Sequence, residues 1–558
     1  MNKTVFGFVC TLALLSTVAA FHGCVKPGKL DPSIVARYQR EMRDYSPSER
    51  LGGREDAGLL DPAPQEGLAK LKTEDVTGPD GKVRKVARLS LEEAIVRTLA
   101  GSPAIQIVSF DPAISREEMV QAAAAFDVVV FGAASYNKGD RKRYATSLRQ
   151  ITDERSFNVG LRQTVPTGTR WEMTWGATRE WDNAMTFTSP TKFEPTVRLE
   201  VTQPLLRGGW LDFNLGRLRI ARLANKSQLE GFRSEVEGAI TDVYRLYWQL
   251  HQARREYAIQ KSLVDWSEKT VTAVEGRKEL DAGIVQIKQA ASALASHKGT
   301  LARLEKVIYD VQEQLGVLLG DSQINATGKV DLIPTTPFED GPVTINVADQ
   351  LAAALKHNPT LAQGRLAIEA TGVQIKVSEN DVLPRLDLIG STTFQGMAGS
   401  RHVAGRELLS GDYASYSLGI EFEYPIGNRE KESLLRTRKL ERSKSIASFQ
   451  SNADQVAAAV KERVRQVNMA LKTLEYERVA VEAYRAELNG LEVLQKTRRG
   501  GMDPEFLELK LRSRERLALA ERAELQALVD YNTAKIELRR VTGTVLDLPG
   551  LKVSMPEK

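Results

Sequence analysis

The feature that most constrains this chain is an internal duplication. SLEEAIVRTLAGSPAIQI (90–107) aligns without a gap on NVADQLAAALKHNPTLAQ (346–363), so that Leu91 matches Val347, Ile95 Leu351, Leu99 Leu355, Pro103 Pro359 and Ile105 Leu361. Each copy reads as a short amphipathic helix ended just before a proline. The duplication continues beyond these segments. Helical sequence gives way to alternating strand sequence, which stops at TQPLLRGG (Pro204, Gly208, Gly209) in one half and at EYPIGN (Pro425, Gly427) in the other. A long helix comes next in each, with a glycine turn far along it, LDAGIV around Gly283 and RRGGMDPEF around Gly501. From proline to turn glycine the spacing is 79 residues in the first half (204 to 283) and 76 in the second (425 to 501). Gly320 and Gly543 close the two halves. Such repetition specifies two structural repeats, 89–320 and 346–543.

The strands and the helices make opposite demands. In YSLGIEFEY (416–424), Tyr416, Leu418, Ile420, Phe422 and Tyr424 alternate with Ser417, Gly419, Glu421 and Glu423, and Val197, Leu199 and Val201 alternate with Arg198, Glu200 and Thr202. A period of two gives each strand one apolar and one polar face. Strands are expected near 127–205 and 385–425. The interval Pro103–Pro204 exceeds Pro359–Pro425 by 35 residues (101 against 66). The surplus includes SFNVGLRQTVPTGTRWEMTWGATRE, two alternating runs around Thr167-Gly168, which reads as an added β-hairpin. No proline lies between Pro425 and Pro504. Long helices are expected over 211–280 and 430–498, turns at 281–285 and 499–504, and return helices over 286–319 and 505–542. Ile446, Phe449, Ala453, Val456, Val460, Val464, Val467, Leu471 and Leu474 fall at threes and fours, as do Leu301, Leu304, Ile308, Val311, Leu315 and Leu318, which gives core seams between paired helices. A helix of ~75 residues at ~1.5 Å each is a rod near 110 Å, longer than any ordinary globular domain needs.

The first residues, MNKTVFGFVCTLALLSTVAAFHGC, place Lys3 before an apolar run from Val5 to Ala20, the pattern of a secretory signal peptide (1–23). Two processing routes are open: cleavage after Val18-Ala19-Ala20, or lipidation of Cys24 at a Gly23-Cys24 box. Cys10 and Cys24 are the chain's two cysteines, so the mature fold stands on packing without an internal disulfide. Beyond residue 24 no run approaches ~20 apolar residues, and a membrane crossing by this chain would need a closed β-barrel. Residues 24–88 read as an extended tether with some local helix and no domain of their own, 321–345 as a connector and 544–558 as a tail. The formal net charge of +5 over 558 residues gives no electrostatic case for nucleic acid.

The ordered set LEEAIVRTLAGSPAI, LAAALKHNPTL, VTQPLLRGG, DAGIV and GGMDPEF, at doubled spacing over roughly 89–543, resembles the TolC-like outer-membrane efflux proteins. That resemblance implies a mixed α and β fold: a long antiparallel α-helical coiled-coil barrel in the periplasm below a transmembrane β-barrel shared by a homotrimer. Sharing has a physical reason. One chain offers four to six strands, and an open sheet edge in lipid leaves backbone groups unpaired at several kcal/mol each. Four strands per chain give the family's twelve-stranded wall and six give eighteen; twelve is expected, with the added hairpin as an extracellular or rim feature and Trp171, Trp175, Tyr416 and Tyr424 as interfacial girdles. The function implied is a passive outer-membrane conduit of a tripartite efflux or type I secretion system, in the outer membrane of a Gram-negative-type bacterium, joined to a periplasmic adaptor and an inner-membrane pump. Carried onto this sequence, adaptor-docking turns are Ala282, Gly283, Ile284, Gly501 and Met502. Gate candidates are Asp281, Asp503, Glu505 and Glu508, though Lys288, Arg498, Arg499 and Lys510 are mixed among them.

An enzyme finds no support in the residues. There is no phosphate-binding glycine loop, no HExxH and no GxSxG, and the mature histidines His251, His297, His357 and His402 lack paired ligand spacing, so neither cofactor nor metal is expected. The remaining alternative is an exported coiled-coil scaffold or adhesin, which accounts for the rods but not for the duplicated alternating strands.

Overall fold

The structure, a computed structural model, describes residues 73–77, 83–142, 149–183, 189–276, 284–320, 330–497 and 504–548. In the first repeat, α1 (Leu91–Gly101) and α2 (Pro103–Ala123) lead into β3 (Val129–Lys142), β4 (Arg149–Thr164), β5 (Arg170–Asp182) and β6 (Thr191–Pro204). A single turn of helix, α3 (Trp210–Asn214), then precedes α4 (Gly216–Glu275) and α5 (Ile284–Leu319). In the second, α6 (Val347–His357) and α7 (Pro359–Asp381) lead into β8 (Arg385–Gln395), α8 (Arg401–Ser410) and β9 (Ala414–Glu423), succeeded by α9 (Arg429–Thr497) and α10 (Pro504–Thr542). The two halves share one plan, as the duplication requires.

Local chemistry sets the matching ends. Ser90 caps α1 by accepting from the Glu93 amide, and Asn346 caps α6 by accepting from the Ala348 amide. Pro103 and Pro359 occupy first helical positions, where a missing N–H costs nothing. The uninterrupted 60 residues of α4 and 69 of α9 make rods of roughly 90 and 100 Å. The α9–α10 pair buries Val460, Val464, Val467, Ala470 and Leu474 against Ala527, Tyr531, Ala534 and Leu538, with Ala354 of α6 closing the cluster. Four of the seam positions read from the sequence, Val460, Val464, Val467 and Leu474, are thus core; Ile446 stays exposed.

The helices lie in rows of four. Nearest the sheet, neighbours run α2–α4–α7–α9; farther from it they run α5–α4–α10–α9. Above them stands one antiparallel sheet of six strands in the order β3-β4-β5-β6-β8-β9.

Two expectations are corrected here. The added hairpin is β4–β5, and it is part of the sheet instead of an attachment at its rim: β3–β4, β4–β5 and β5–β6 pair over their lengths. Its turn is tied down at the helix end, where the Trp210 amide donates to the Thr167 carbonyl at 2.9 Å. Gly168 (φ +91°) fits there because a Cβ would collide with the Gly208 carbonyl. The tether and connector also contain regular structure. β1 (Thr73–Thr77) and β2 (Val83–Leu89) pair antiparallel, and β2 pairs parallel with β7 (Val330–Pro334). Val86, Ala87 and Leu89 are buried there with Val330 and Leu332. These strands are five to seven residues long, and β2 and β7 pair residues some 245 apart, so no local pattern announces the sheet.

Candidate functional site

The registers align the strands' apolar positions on a single face. Val130 of β3 lies opposite Leu161 of β4, which lies opposite Met173 of β5, which lies opposite Leu199 of β6. Next to these, Val159, Trp175, Val197 and Phe394 form a second row, and Gln163, Trp171 and Val201 a third. Leu388 and Leu386 of β8 continue the band to Ile420 and Phe422 of β9. A band from one sheet edge to the other, unbroken by any charge between Phe157 and Leu161 or between Val197 and Val201 on that face, is covered by no other element among the described residues. Leu418, Ile420 and Phe422 are 78%, 70% and 66% exposed. Trp175 and Phe157 meet edge to face at 5.8 Å and remain half-exposed.

The opposite face is polar. Arg198 and Glu200 pair at 2.6 Å, Lys192 bridges Glu180 and Glu194, and Arg385 reaches Asp387 at 2.7 Å and Glu421 at 3.4 Å. The hydroxyls of Ser391 and Ser417 are 2.9 Å apart. Alternation at this length, nine residues from Phe193 to Val201 and from Ala414 to Phe422, suits a tilted strand crossing a bilayer with one face in lipid and one in water. No described helix is long and apolar enough to cross a membrane.

At the far end of the rods the structure brings together the first turns of α5 and α10. Ile284, the first residue of α5, and Val285 are each 73% exposed; they line a shallow groove with Lys288, Gln289, Glu505 and Glu508. One expected docking residue and two gate candidates therefore share a surface. Glu508 is ion-paired to Arg512 on its own helix. Asp281, Ala282, Gly283, Gly501, Met502 and Asp503 lie outside the described residues, as does Cys24. Beneath the groove, Leu507 and Leu511 of α10 pack with Val274 of α4, Trp266 and Ile287.

Sequence periodicity did not reveal the polar seam just above that core. Arg514 pairs with Glu492 at 2.6 Å and places its guanidinium 5.6 Å over the Trp266 ring, while Lys510 bonds Gln495. Gln260 donates to the His297 carbonyl at 2.9 Å and accepts from Arg522, and His297 stands 3.5 Å from Glu515. Burial pulls the Lys510 and His297 pKa values below their ordinary ranges, outweighing the opposing carboxylates Glu492 and Glu515. The seam joins the α4–α5 pair to the α9–α10 pair through side chains that alternate in charge.

Comparison with known proteins gives this geometry a context. Residues 351–544 match the family model described as outer membrane efflux protein. The outer membrane efflux protein BepC of Brucella suis biovar 1 is 23% identical over 362 residues, 64% of this chain and 74% of its own. Among solved structures, the outer-membrane channel OprN superposes with a TM-score of 0.61 at 17% identity, covering 81% of this chain and 90% of that one. The Campylobacter jejuni outer membrane channel CmeC does so with 0.58 at 12% identity, covering 81% and 85%. With the duplicated plan, the apolar-faced sheet and the paired rods already in view, residues 351–544 resemble the outer membrane efflux proteins and the chain shares the fold of solved outer-membrane channels.

Proposed function

We propose that three copies of this chain form a passive conduit across the outer membrane, the sheets joining into a barrel in lipid and the rods into a periplasmic tunnel. One observation carries the reading: a sheet whose apolar face and two edges no other described element covers, standing on long helices of roughly 90 and 100 Å. In lipid the unpaired backbone groups of β3 and β9 would each cost several kcal/mol, and closure with other copies removes that cost. A scaffold or adhesin would leave the apolar face without purpose.

The far end would receive a periplasmic adaptor linked to an inner-membrane pump, which supplies the energy and selects the cargo. Ala282, Gly283, Ile284, Gly501 and Met502 would form the docking turns, with Ile284 and Val285 offering apolar contact beside Glu505 and Glu508. Asp281, Asp503, Glu505 and Glu508 would influence the aperture together with the basic residues around them, so its field is mixed in sign. Opening is a shift between closed and open packings biased by adaptor binding. Cys24 would carry a lipid that fixes the N-terminus to the membrane. The chain itself does no covalent chemistry on its cargo. Replacing Gly283 or Gly501 with tryptophan tests the docking role: export should be lost at unchanged trimer level, and normal export would contradict it.

A further inference from the structure

We infer that all six strands of each chain belong to the membrane wall, so that β9 of one copy pairs with β3 of the next in an eighteen-stranded barrel. This rests on the three-copy tunnel just proposed and specifies its wall and bore. The first ground is the apolar band: the added hairpin contributes Phe157, Leu161, Met173 and Trp175 to the same face as Leu199 and Leu418, with Leu161 and Met173 in Leu199's row and Trp175 in Val197's, all more than one-third exposed save Leu199 and Val197. A hairpin standing clear of lipid would have no reason to keep that face apolar. The second is its anchoring, since the β4–β5 turn returns to the helix end and bonds the start of α3.

The third ground is circumference. Six strands ~4.8 Å apart and tilted ~40° cover roughly 38 Å of wall, and four helices side by side at ~9–10 Å cover roughly 36–40 Å. Sheet and helix row from one chain are therefore matched in width, with four helices abreast at both levels. Four strands would cover only ~25 Å and would force a taper between barrel and tunnel. The fourth is parity: an even count of alternating strands makes β3 and β9 run in opposite directions, so the meander closes antiparallel on itself. Neither edge pairs with another strand among the described residues, and every residue of β9 is exposed. Three copies then enclose a backbone diameter of roughly 36 Å, against roughly 24 Å for twelve strands of the same tilt. The bore would pass cargo that a twelve-stranded wall excludes.

The test is site-directed cross-linking in intact outer membranes, with Cys24 retained and cysteine pairs scanned across the two edges: Val130→Cys, Gly132→Cys or Ala134→Cys against Leu418→Cys, Ile420→Cys or Phe422→Cys. The expected result is a disulfide ladder ending at three chains for at least one β3–β9 pair, with export retained in the reduced protein. Met173→Cys and Ala177→Cys on β5, paired with the same β9 positions, are the counter-arm. Inter-copy links from β9 to β5 and none to β3, or a disulfide within one chain between Val130→Cys on β3 and Leu199→Cys on β6, in a chain that still exports, would overturn the eighteen-stranded wall while leaving the tunnel intact. A ladder ending at two chains would overturn the wall and the three-copy tunnel together.

Discussion

Gly543 closes on His357: at φ +68° it ends α10 against the His357 carbonyl oxygen at the end of α6, where any Cβ would collide. Gly320 (φ +65°) ends α5 against the Gly101 carbonyl at the end of α1 in the same way. The second repeat adds a lock, since the Asn358 side chain donates to the Val541 carbonyl at 2.9 Å and accepts from the Leu361 amide. Alanine at 543 or 320 would combine left-handed strain with a backbone clash and should cost about 1–3 kcal/mol. Gly299 lies in α5 with open space around its Cβ position, and Gly299→Ala should be neutral or slightly stabilising, by up to about 1 kcal/mol. Thermal unfolding of the detergent-extracted variants checks the contrast.

Tyr247 ties the small sheet to the first rod. Its buried hydroxyl donates to the Leu89 carbonyl at 3.0 Å and accepts from the amides of Thr335 and Thr336 at 3.0 and 2.9 Å. Tyr247→Phe keeps the packing but leaves the Thr336 amide without this acceptor, a loss of about 1–3 kcal/mol. A midpoint unchanged from wild type would show that the hydroxyl is dispensable.

The two faces of the sheet should respond oppositely to charge. Leu418→Arg places a cation on the apolar face, at about 2–4 kcal/mol if that position lies at mid-bilayer. Ser417→Arg places it on the polar face, where water is available. Outer-membrane levels should fall for the first and hold for the second; equal tolerance would mean that Leu418 does not face lipid.

Acid should loosen the rods around His297 and His251. Burial, aided by Arg522 and opposed by Glu515, holds the His297 pKa below its ordinary value, and burial with Arg255 does the same for His251. A depressed histidine means the unfolded chain binds the proton first, so these sites contribute fully above about pH 6.5 and lose their contribution as pH falls toward the folded-state values. Thermal midpoints should drop between pH 7.5 and 5.5, and His297→Gln should flatten part of that drop. Greater stability of the wild type at the acid end would reverse the sign of this assignment.

The duplication made most of the architecture legible. Helix bounds fall within a few residues of expectation because threes and fours of apolar residues run unbroken, and Gly320 and Gly543 announced the closures. Strand count was not legible. β3 (VVFGAASYNKGDRK) alternates weakly, and the pairing of β6 with β8 joins residues about 190 apart. Helix α8 was missed because ten residues offer less than three turns of pattern; its one strong cue is Gly411 at φ 72°, a left-handed cap after Ser410. Near the turns, Ile284, Glu505 and Glu508 are singled out by the family resemblance and not by periodicity. The seam of His297, Lys510, Arg514 and Arg522 was legible from neither, because each meets partners on another helix and leaves no mark in its own periodicity.

The most direct measurement is the mass of the protein extracted from outer membranes in mild detergent, by native mass spectrometry. An open six-stranded sheet with an uncovered apolar face predicts three chains held together. A single chain, stable and water-soluble without detergent, would contradict the shared pore.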